Sequence, residues 1–233
     1  MKLSDFKGLF KKGTLTIESV KNTSGDYYEI KMKPEPGLTW NPGEHGIFKL
    51  PGRKIQGKKW RAFSVASLPE EGIMTIGTRT GKEISNYKKE LISMEKGDKV
   101  TVTGPFGWFK IQDSVSPIVM VAGGVGITPI RALLKHLETA TTRPVDLIYS
   151  SSDHYLFMDE IQAIVASNKQ ITLYKTSSKE ETAIIVTELA DKYKMGAYYY
   201  ISGSQPFIGA IKKYLTRKGI KSKRIINDPF LGY

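Results

Sequence analysis

The rhythm of apolar and polar positions changes near the middle of the chain. Over the first half, apolar residues alternate with polar ones in short runs, at 14–21, 27–33, 46–50, 61–66, 74–78 and 99–103. A period of two is what a strand with one face in a core requires. Turn signals separate the runs: Thr23-Ser24-Gly25-Asp26, Pro34-Glu35-Pro36-Gly37 and Asn41-Pro42-Gly43-Glu44. One helix is predicted at 86–93, with Ser85 as its N-cap and Tyr87 and Leu91 on one face. Short strands with regular turns imply an antiparallel sheet that closes, or nearly closes, into a barrel.

The second half reads differently. Apolar runs at 117–122, 144–149, 170–175, 197–201 and 224–227 alternate with helix-period segments at 129–139, 156–167, 187–192 and 206–217. That alternation predicts a Rossmann-like parallel α/β domain covered by helices on both faces. Residues 112–117 are the linker candidate, so the predicted domains are 1–113 and 114–233. Ligands of parallel sheets bind beyond the carboxyl ends of the strands. The residues to watch are therefore 123–128, 150–152, 176–178 and 202–205.

The stretch from Met120 to Pro129 organises the rest. A buried strand leads into Gly123, Gly124 and Gly126, then into a helix for which Thr128 is a candidate N-cap and Pro129 the first helical residue. Backbone N–H groups and the positive end of a helix dipole face outward there, and glycines let a phosphate approach. A dinucleotide pyrophosphate is the natural guest, although an ordinary tight turn would show much the same pattern.

Composition narrows the chemistry. The 233 residues include no cysteine, which excludes disulfides, thiolate-held iron–sulfur clusters and thiol nucleophiles. The three histidines, His45, His136 and His154, are scattered without metal-ligand spacing, so no metal site is expected. No apolar run approaches membrane-spanning length, and the charged start is unlike a signal peptide, so a cytoplasmic location is expected. Redox chemistry would have to come from an organic cofactor. The net charge of +12 favours anionic partners, but no arginine-rich tail or basic–aromatic platform points to nucleic acid.

Three further stretches stand out. In Arg61-Ala62-Phe63-Ser64 alternate side chains share a face, so Arg61 and Phe63 point one way and Ser64 the other. An arginine can clamp phosphate and an aromatic can cover a flat ring, although a surface Arg beside a core Phe is the commoner arrangement. Thr80 to Asn86 runs from a loop into a helix start, a second anion-site candidate or a plain cap. Gly104-Pro105-Phe106-Gly107-Trp108-Phe109 reads as a turn rich in glycine and aromatics.

Taken in order, these motifs resemble the ferredoxin–NADP reductase family over essentially the whole chain. Arg61 to Ser64 is like its Arg-x-Tyr/Phe-Ser flavin motif, and Gly81 to Ser85 like its flavin-pyrophosphate loop. Gly104 to Gly107, Gly123 to Pro129, Ser202-Gly203-Ser204 and the ending Asp228 to Tyr233 complete the order. The resemblance implies an N-terminal FAD-binding barrel and a C-terminal NAD(P)-binding domain. It implies that Arg61, Ala62, Phe63, Gly81, Ile84 and Ser85 meet the FAD, and that Ser64 bonds near flavin N5. Gly123, Gly124, Gly126, Thr128, Pro129, Ser150, Ser151 and Gly203 should meet NADH or NADPH. Ser202 and Asp228 take catalytic positions, and Phe230 or Tyr233 is the candidate terminal cover for the flavin.

Two positions depart from the family pattern. Relatives often carry cysteine where Ser202 stands and glutamate where Asp228 stands. The stretch Ser150 to Asp153 lacks the arginine that usually meets a 2′-phosphate, which favours NADH, while Lys175 and Lys179 pull the other way. The implied activity is hydride transfer from NAD(P)H to FAD, with electrons then leaving to a separate acceptor, an acidic ferredoxin or flavodoxin. The alternatives are a reductase of free flavin and an electron-transfer subunit of a larger complex.

Overall fold

The computed structural model describes residues 3–139 and 141–228. The chain divides into two compact units, one ending at Lys110 and the other beginning at Ile111.

The first unit is a six-stranded antiparallel sheet. Its strands are β1 (Lys12–Ser24), β2 (Tyr27–Pro34), β3 (His45–Lys49), β4 (Trp60–Ser64), β5 (Met74–Arg79) and β6 (Lys99–Phe106), in the order β4-β3-β6-β1-β2-β5. The two edges meet through the Ala66 amide, which donates to the Thr75 carbonyl at 2.8 Å. That bond closes the sheet at one corner. The alternation read from the sequence sets the inner face: Leu15, Ile17, Ile30, Met32, Phe48, Met74, Ile76, Val100 and Val102 are buried together. Helix α1 (Asn86–Ile92) adds Tyr87 and Leu91 to this core, and the Tyr87 hydroxyl donates to the Phe48 carbonyl at 3.0 Å.

Two features of this unit differ from the sequence reading. Residues 104–106, expected in a turn, continue β6, because Phe106 pairs with His45 across a register shift in β3. The charged start folds as a 3-10 helix, Leu3–Phe10, laid against β6. The Asp5 carbonyl accepts from the Gly107 amide at 3.0 Å, and Lys110 reaches the Asp5 carboxylate at 3.2 Å. Gly8 permits the approach: a Cβ there would lie 2.0 Å from the Pro105 carbonyl oxygen.

The second unit is a five-stranded parallel sheet of β7 (Ile118–Gly123), β8 (Val145–Ser150), β9 (Ile171–Thr176), β10 (Tyr198–Ser202) and β11 (Ile225–Asn227), in the order β11-β10-β7-β8-β9. The helices are α2 (Ile127–Leu137), α3 (Met158–Ser167), α4 (Lys179–Tyr193) and α5 (Gln205–Arg217). From β7 the chain builds outward through β8 to β9, then returns to β10 on the other side of β7. The strand order therefore reverses between β7 and β10, which is the switch point where open α/β sheets hold their ligands. Helices α4 and α5 pack Val186, Leu189, Ile208, Ile211 and Leu215 against Val119, Val121, Ile148, Tyr199 and Ile201.

Here too there are corrections. Helix α4 begins at Lys179, well before the expected 187, because Thr182, Val186, Leu189 and Ala190 form a buried stripe at helical spacing. Packing of that stripe outweighs the weak helix propensity of the β-branched residues between them. Residues 112–117 are a held turn and not a loose linker. Asp113 accepts from the Val115 and Ser116 amides and from the Ser116 hydroxyl, and pairs with the buried Arg143 at 2.8 Å. Among the described residues no helix is long and apolar enough to cross a membrane.

Candidate functional site

The glycine turn stands at the switch point of the parallel sheet. Strand β7 ends at Gly123, and Gly124–Gly126 form a 3-10 turn that runs straight into α2. Gly124 has φ +52°, in the left-handed region that disfavours a side chain. Gly126 is required by packing, since a Cβ would lie 2.3 Å from the Ser202 carbonyl oxygen. The two glycines thus serve a tight turn and a close helix–strand approach, the roles that a dinucleotide loop assigns to them. Gly123, Gly124 and Val125 stay half-exposed at the end of the sheet. Their amides and the positive end of the eleven-residue α2 suit a pyrophosphate.

Thr128 and Pro129 do not sit where the sequence suggested. The helix cap is Gly126, already in helical geometry at φ −62° and ψ −10°, so Thr128 and Pro129 lie inside the first turn. The Thr128 hydroxyl donates back to the Val125 carbonyl at 2.7 Å. Both residues are buried and hold the turn. Pro129 is tolerated because the first helical amides have no intrahelical acceptor.

Across the switch point, Ser202 ends β10 and Asp228 follows β11. The Ser202 hydroxyl donates to Asp228 Oδ2 at 3.1 Å, and the Asp228 amide donates to the Ile201 carbonyl at 3.0 Å. Phe207, in the first turn of α5, was not singled out from the sequence. Its ring fills the space beside Gly123 and Gly203, where added Cβ atoms would lie 2.9 Å and 2.7 Å away. Gly203 is held beneath that ring at φ +156°.

Ser150 and Ser151 are committed within the fold. Ser150 accepts from the Thr182 hydroxyl at 3.0 Å, and Ser151 donates to the His154 carbonyl at 2.6 Å. At the end of β9, the Glu181 carboxylate accepts from both the amide and the hydroxyl of Ser177, at 2.8 and 3.2 Å. These bonds hold the exposed Glu181 carboxyl below the usual carboxylate range.

In the antiparallel unit, Arg61 donates to the carbonyls of Lys58 and Trp60, both at 2.9 Å, and makes no ion pair among the described residues. Its guanidinium carbon lies 5.2 Å from the centre of the Tyr87 ring. Phe63 points to the same side but is a core residue. Its ring packs edge-on against Phe48 at 5.6 Å and near Tyr87 at 6.3 Å, which leaves little face to cover a ligand. Ala62 and Ser64 are half-exposed.

Ser85 caps α1 by accepting from the Lys88 amide at 3.3 Å, and Ile84 beside it is half-buried. Gly81 turns at φ +76°, and its amide donates to Asp26 at 2.9 Å. Sequence reasoning missed the buried cation here, Lys88, which is 6% exposed. A lysine on the polar side of an amphipathic helix gives no signal of burial. An unpaired Arg61 close to a buried Lys88 suits a diphosphate, so these residues fit the flavin dinucleotide that the family resemblance implies.

His45 was also unassigned. It stands opposite Ser64 on β4 and opposite Phe106 on β6. It is 3% exposed, and its Nδ1 has no hydrogen-bond partner among the described residues. Burial pushes its pKa down to about 4, so the ring is neutral at neutral pH. Phe230 and Tyr233, the candidate terminal cover, lie outside the described residues.

An antiparallel flavin-type sheet followed by a parallel nucleotide-type sheet is the fold of ferredoxin reductase-like proteins. The chain belongs to the family described as dimethylamine monooxygenase subunit DmmA-like, N-terminal domain, whose model matches residues 102–225. The reductase component of propane 2-monooxygenase from Mycolicibacterium goodii is 25% identical over 236 residues, covering 92% of this chain and 66% of the relative. The chain spans about two thirds of the length of such curated relatives. An Amycolatopsis cytochrome P450 reductase superposes with a TM-score of 0.80 at 19% identity, over 94% of this chain and 70% of its own. The flavohem-like FAD/NAD-binding domain of Vibrio cholerae nitric oxide dioxygenase superposes at 0.73 and 20% identity, over 92% and 97%.

Proposed function

We propose that this chain is an FAD-dependent NAD(P)H oxidoreductase that delivers electrons to a separate acceptor. In this reading residues 1–113 hold FAD and residues 114–233 hold NAD(P)H. One observation carries it: the glycine turn of Gly124 and Gly126 sits at the switch point of the parallel sheet, in a chain whose other unit carries the unpaired Arg61.

FAD, when bound, supplies a carrier that accepts hydride from NAD(P)H and passes the electrons on. The chain's own residues bind and orient. Arg61 takes the flavin phosphates, with Ala62, Gly81, Ile84 and Ser85 around them, and Ser64 presents its hydroxyl near flavin N5. Gly123, Gly124 and Gly126 present the turn to the nucleotide pyrophosphate, and Gly203 keeps the end of β10 open beside it. Thr128, Ser150 and Ser151 shape that site through the internal hydrogen bonds already described, and Pro129 through its buried place in the first turn of α2. Ser202 and Asp228 set the polar end of the nicotinamide site. Positioning of this kind supplies most of the catalysis, because the hydride chemistry belongs to the cofactors.

The acceptor in this reading is a protein. The named relative is a reductase component, and the net charge of +12 suits an acidic redox partner such as a ferredoxin or flavodoxin. A cytoplasmic setting, where NAD(P)H is available, fits the reading. The test is an absorbance spectrum of the purified chain, followed by anaerobic addition of NADH and then NADPH. A flavin spectrum that bleaches within seconds is expected. A colourless protein that reduces added flavin would replace this reading with a reductase of free flavin, and a chain inert toward every flavin would end it.

A further inference from the structure

The outward face of the antiparallel sheet is a field of lysines and threonines. Leu15 and Ile17 of β1 and Val100 and Val102 of β6 are buried in the core, so the residues that alternate with them face out. The register sets Lys12 against Thr103, Lys99 against Thr16, and Thr16 against Lys33 of β2. Lys49 of β3 stands against Thr101. Successive outward positions lie about 7 Å apart along a strand, and neighbouring strands about 5 Å apart, so the four lysines share one patch about 15 Å across.

Little in the fold neutralises that patch. All four lysines are exposed, and among the described residues none of them makes an ion pair. Lys99 donates to the Thr16 hydroxyl at 2.7 Å. The acids Glu18 and Glu29 on β1 and β2 are taken by Lys96 and Lys31, both at 3.0 Å. An open cleft of about 260 Å³ lies among Lys12, Lys49, Thr101, Thr103 and Glu35, and Glu35 is the one carboxylate lining it.

Apolar side chains stand at the margin of the same patch. Leu9 and Phe10 are 37% and 93% exposed, directly before the exposed Lys11 and Lys12. A single exposed ring needs no explanation by itself. A ring beside unneutralised lysines has the make-up of an interfacial anchor, with apolar area for the acyl boundary and cations for the headgroups. The outward positions of β1, β3 and β6 carry lysine and no arginine. Protein interfaces favour arginine, whose planar fork fixes geometry, and are depleted in lysine. A flexible, hydrated point charge suits a diffuse anionic surface whose groups move laterally.

We propose that this outward face, with Phe10 at its edge, docks the protein on an anionic lipid surface. The lysines are drawn to headgroup phosphates, the cleft between Lys12 and Lys49 receives one of them, and the Phe10 ring enters the interface. The proposal stands apart from the flavin reading, because none of these residues is placed in a cofactor site.

The experiment sediments the full chain with vesicles of phosphatidylcholine alone and of phosphatidylcholine with roughly 30 mol% phosphatidylserine. Binding to the second and not the first is expected, weakened about tenfold or more between about 50 and 500 mM salt. Lys12→Gln with Lys49→Gln should weaken it about tenfold or more, since a lysine near such a surface is worth about fivefold. Lys169→Gln with Lys213→Gln, at exposed lysines of the parallel unit, removes the same charge and should change binding less than about twofold. Phe10→Ser should weaken binding about fivefold, and Phe10→Trp should show a blue shift of emission with the anionic vesicles alone. Absence of vesicle binding, equal loss from the two lysine pairs, or indifference to both Phe10 variants overturns the proposal. So does a Lys12 and Lys49 variant that loses an acidic carrier protein while wild type ignores anionic vesicles, since the face then belongs to a protein. Should a substitution unfold the chain, the lipid selectivity and salt dependence of wild type decide the matter. Bleaching of flavin by NAD(P)H is unaffected by these variants, so failure here and failure of the proposed function are read separately.

Discussion

The hydroxyl of Ser202 donates to the carboxylate of Asp228 at 3.1 Å, with both residues excluded from water at 0% and 1% exposure. The two departures from the family pattern are therefore one coupled unit. A hydrogen bond to a buried carboxylate is worth about 1.5–3 kcal/mol, and removing the donor exposes the cost of burying the acid. Ser202→Ala is expected to slow flavin reduction by about tenfold or more at saturating nucleotide, with a smaller change in KM. Asp228→Asn should act likewise. The double variant should be little worse than either single one, as coupled residues behave. Stopped-flow rates with deuterated nucleotide check this, and additive effects would show the two residues to be independent.

Gly126 and Gly209 should respond oppositely to alanine. At Gly126 the new methyl would meet the Ser202 carbonyl oxygen at 2.3 Å, backbone that cannot swing aside. A loss of about 2–3 kcal/mol is expected, with weakened nucleotide binding. Gly209 lies inside α5 with open space around it and no left-handed φ. Gly209→Ala should stabilise by roughly 0.5–1 kcal/mol through helix propensity. Thermal midpoints of the two variants settle the contrast.

His45 should make the fold sensitive to acid. Its pKa is about 4 folded against an ordinary 6.5 unfolded, so the unfolded chain binds the proton more readily between these values. The stability it permits is present above pH 6.5 and is lost as pH falls from there toward 4. The loss at pH 5 relative to pH 7 is about 2 kcal/mol. His45→Leu should remove this part of the acid sensitivity. Urea midpoints at the two pH values would show it, and an unchanged difference between them would assign the sensitivity to other groups.

NADH is expected to be preferred over NADPH. The ionised Glu181 carboxylate occupies the Ser177 amide at the end of β9, where a 2′-phosphate would otherwise find a donor, and the nearby Lys175 lies 5.0 Å from the Tyr155 ring centre. Measured kcat/KM should favour NADH, and Glu181→Gln should narrow the ratio. A tenfold preference of the wild type for NADPH would reverse this reading.

Transfer to an acidic carrier protein should weaken steeply with salt, since a surface of +12 acts over a screening length of about 10 Å at 0.1 M. Reduction of the same carrier at equal rates in 50 mM and 500 mM salt would count against an electrostatic partner.

The sequence by itself determined the two sheet types. Alternation within the strands before residue 110, and the alternation of strands with helix-period segments after 117, are local properties that a sequence carries. It also determined the glycine turn after β7 and the cap at Ser85, because a turn or a cap is built within a few residues. It did not determine that Thr128 lies inside α2 or that α4 begins at Lys179. Those boundaries were decided by the 3-10 turn that precedes one helix and the buried stripe that extends the other. It did not foresee the Ser202–Asp228 bond, the buried Lys88 or the neutral His45. Each of these depends on which strand ends the sheet order brings together. Ser202 meets Asp228 because β10 and β11 pair in parallel, and His45 meets Ser64 because β3 and β4 pair in register. Pairing across many residues of intervening chain leaves no local pattern, so only the tertiary structure decided what these side chains touch, how far they are desolvated and which charge they carry.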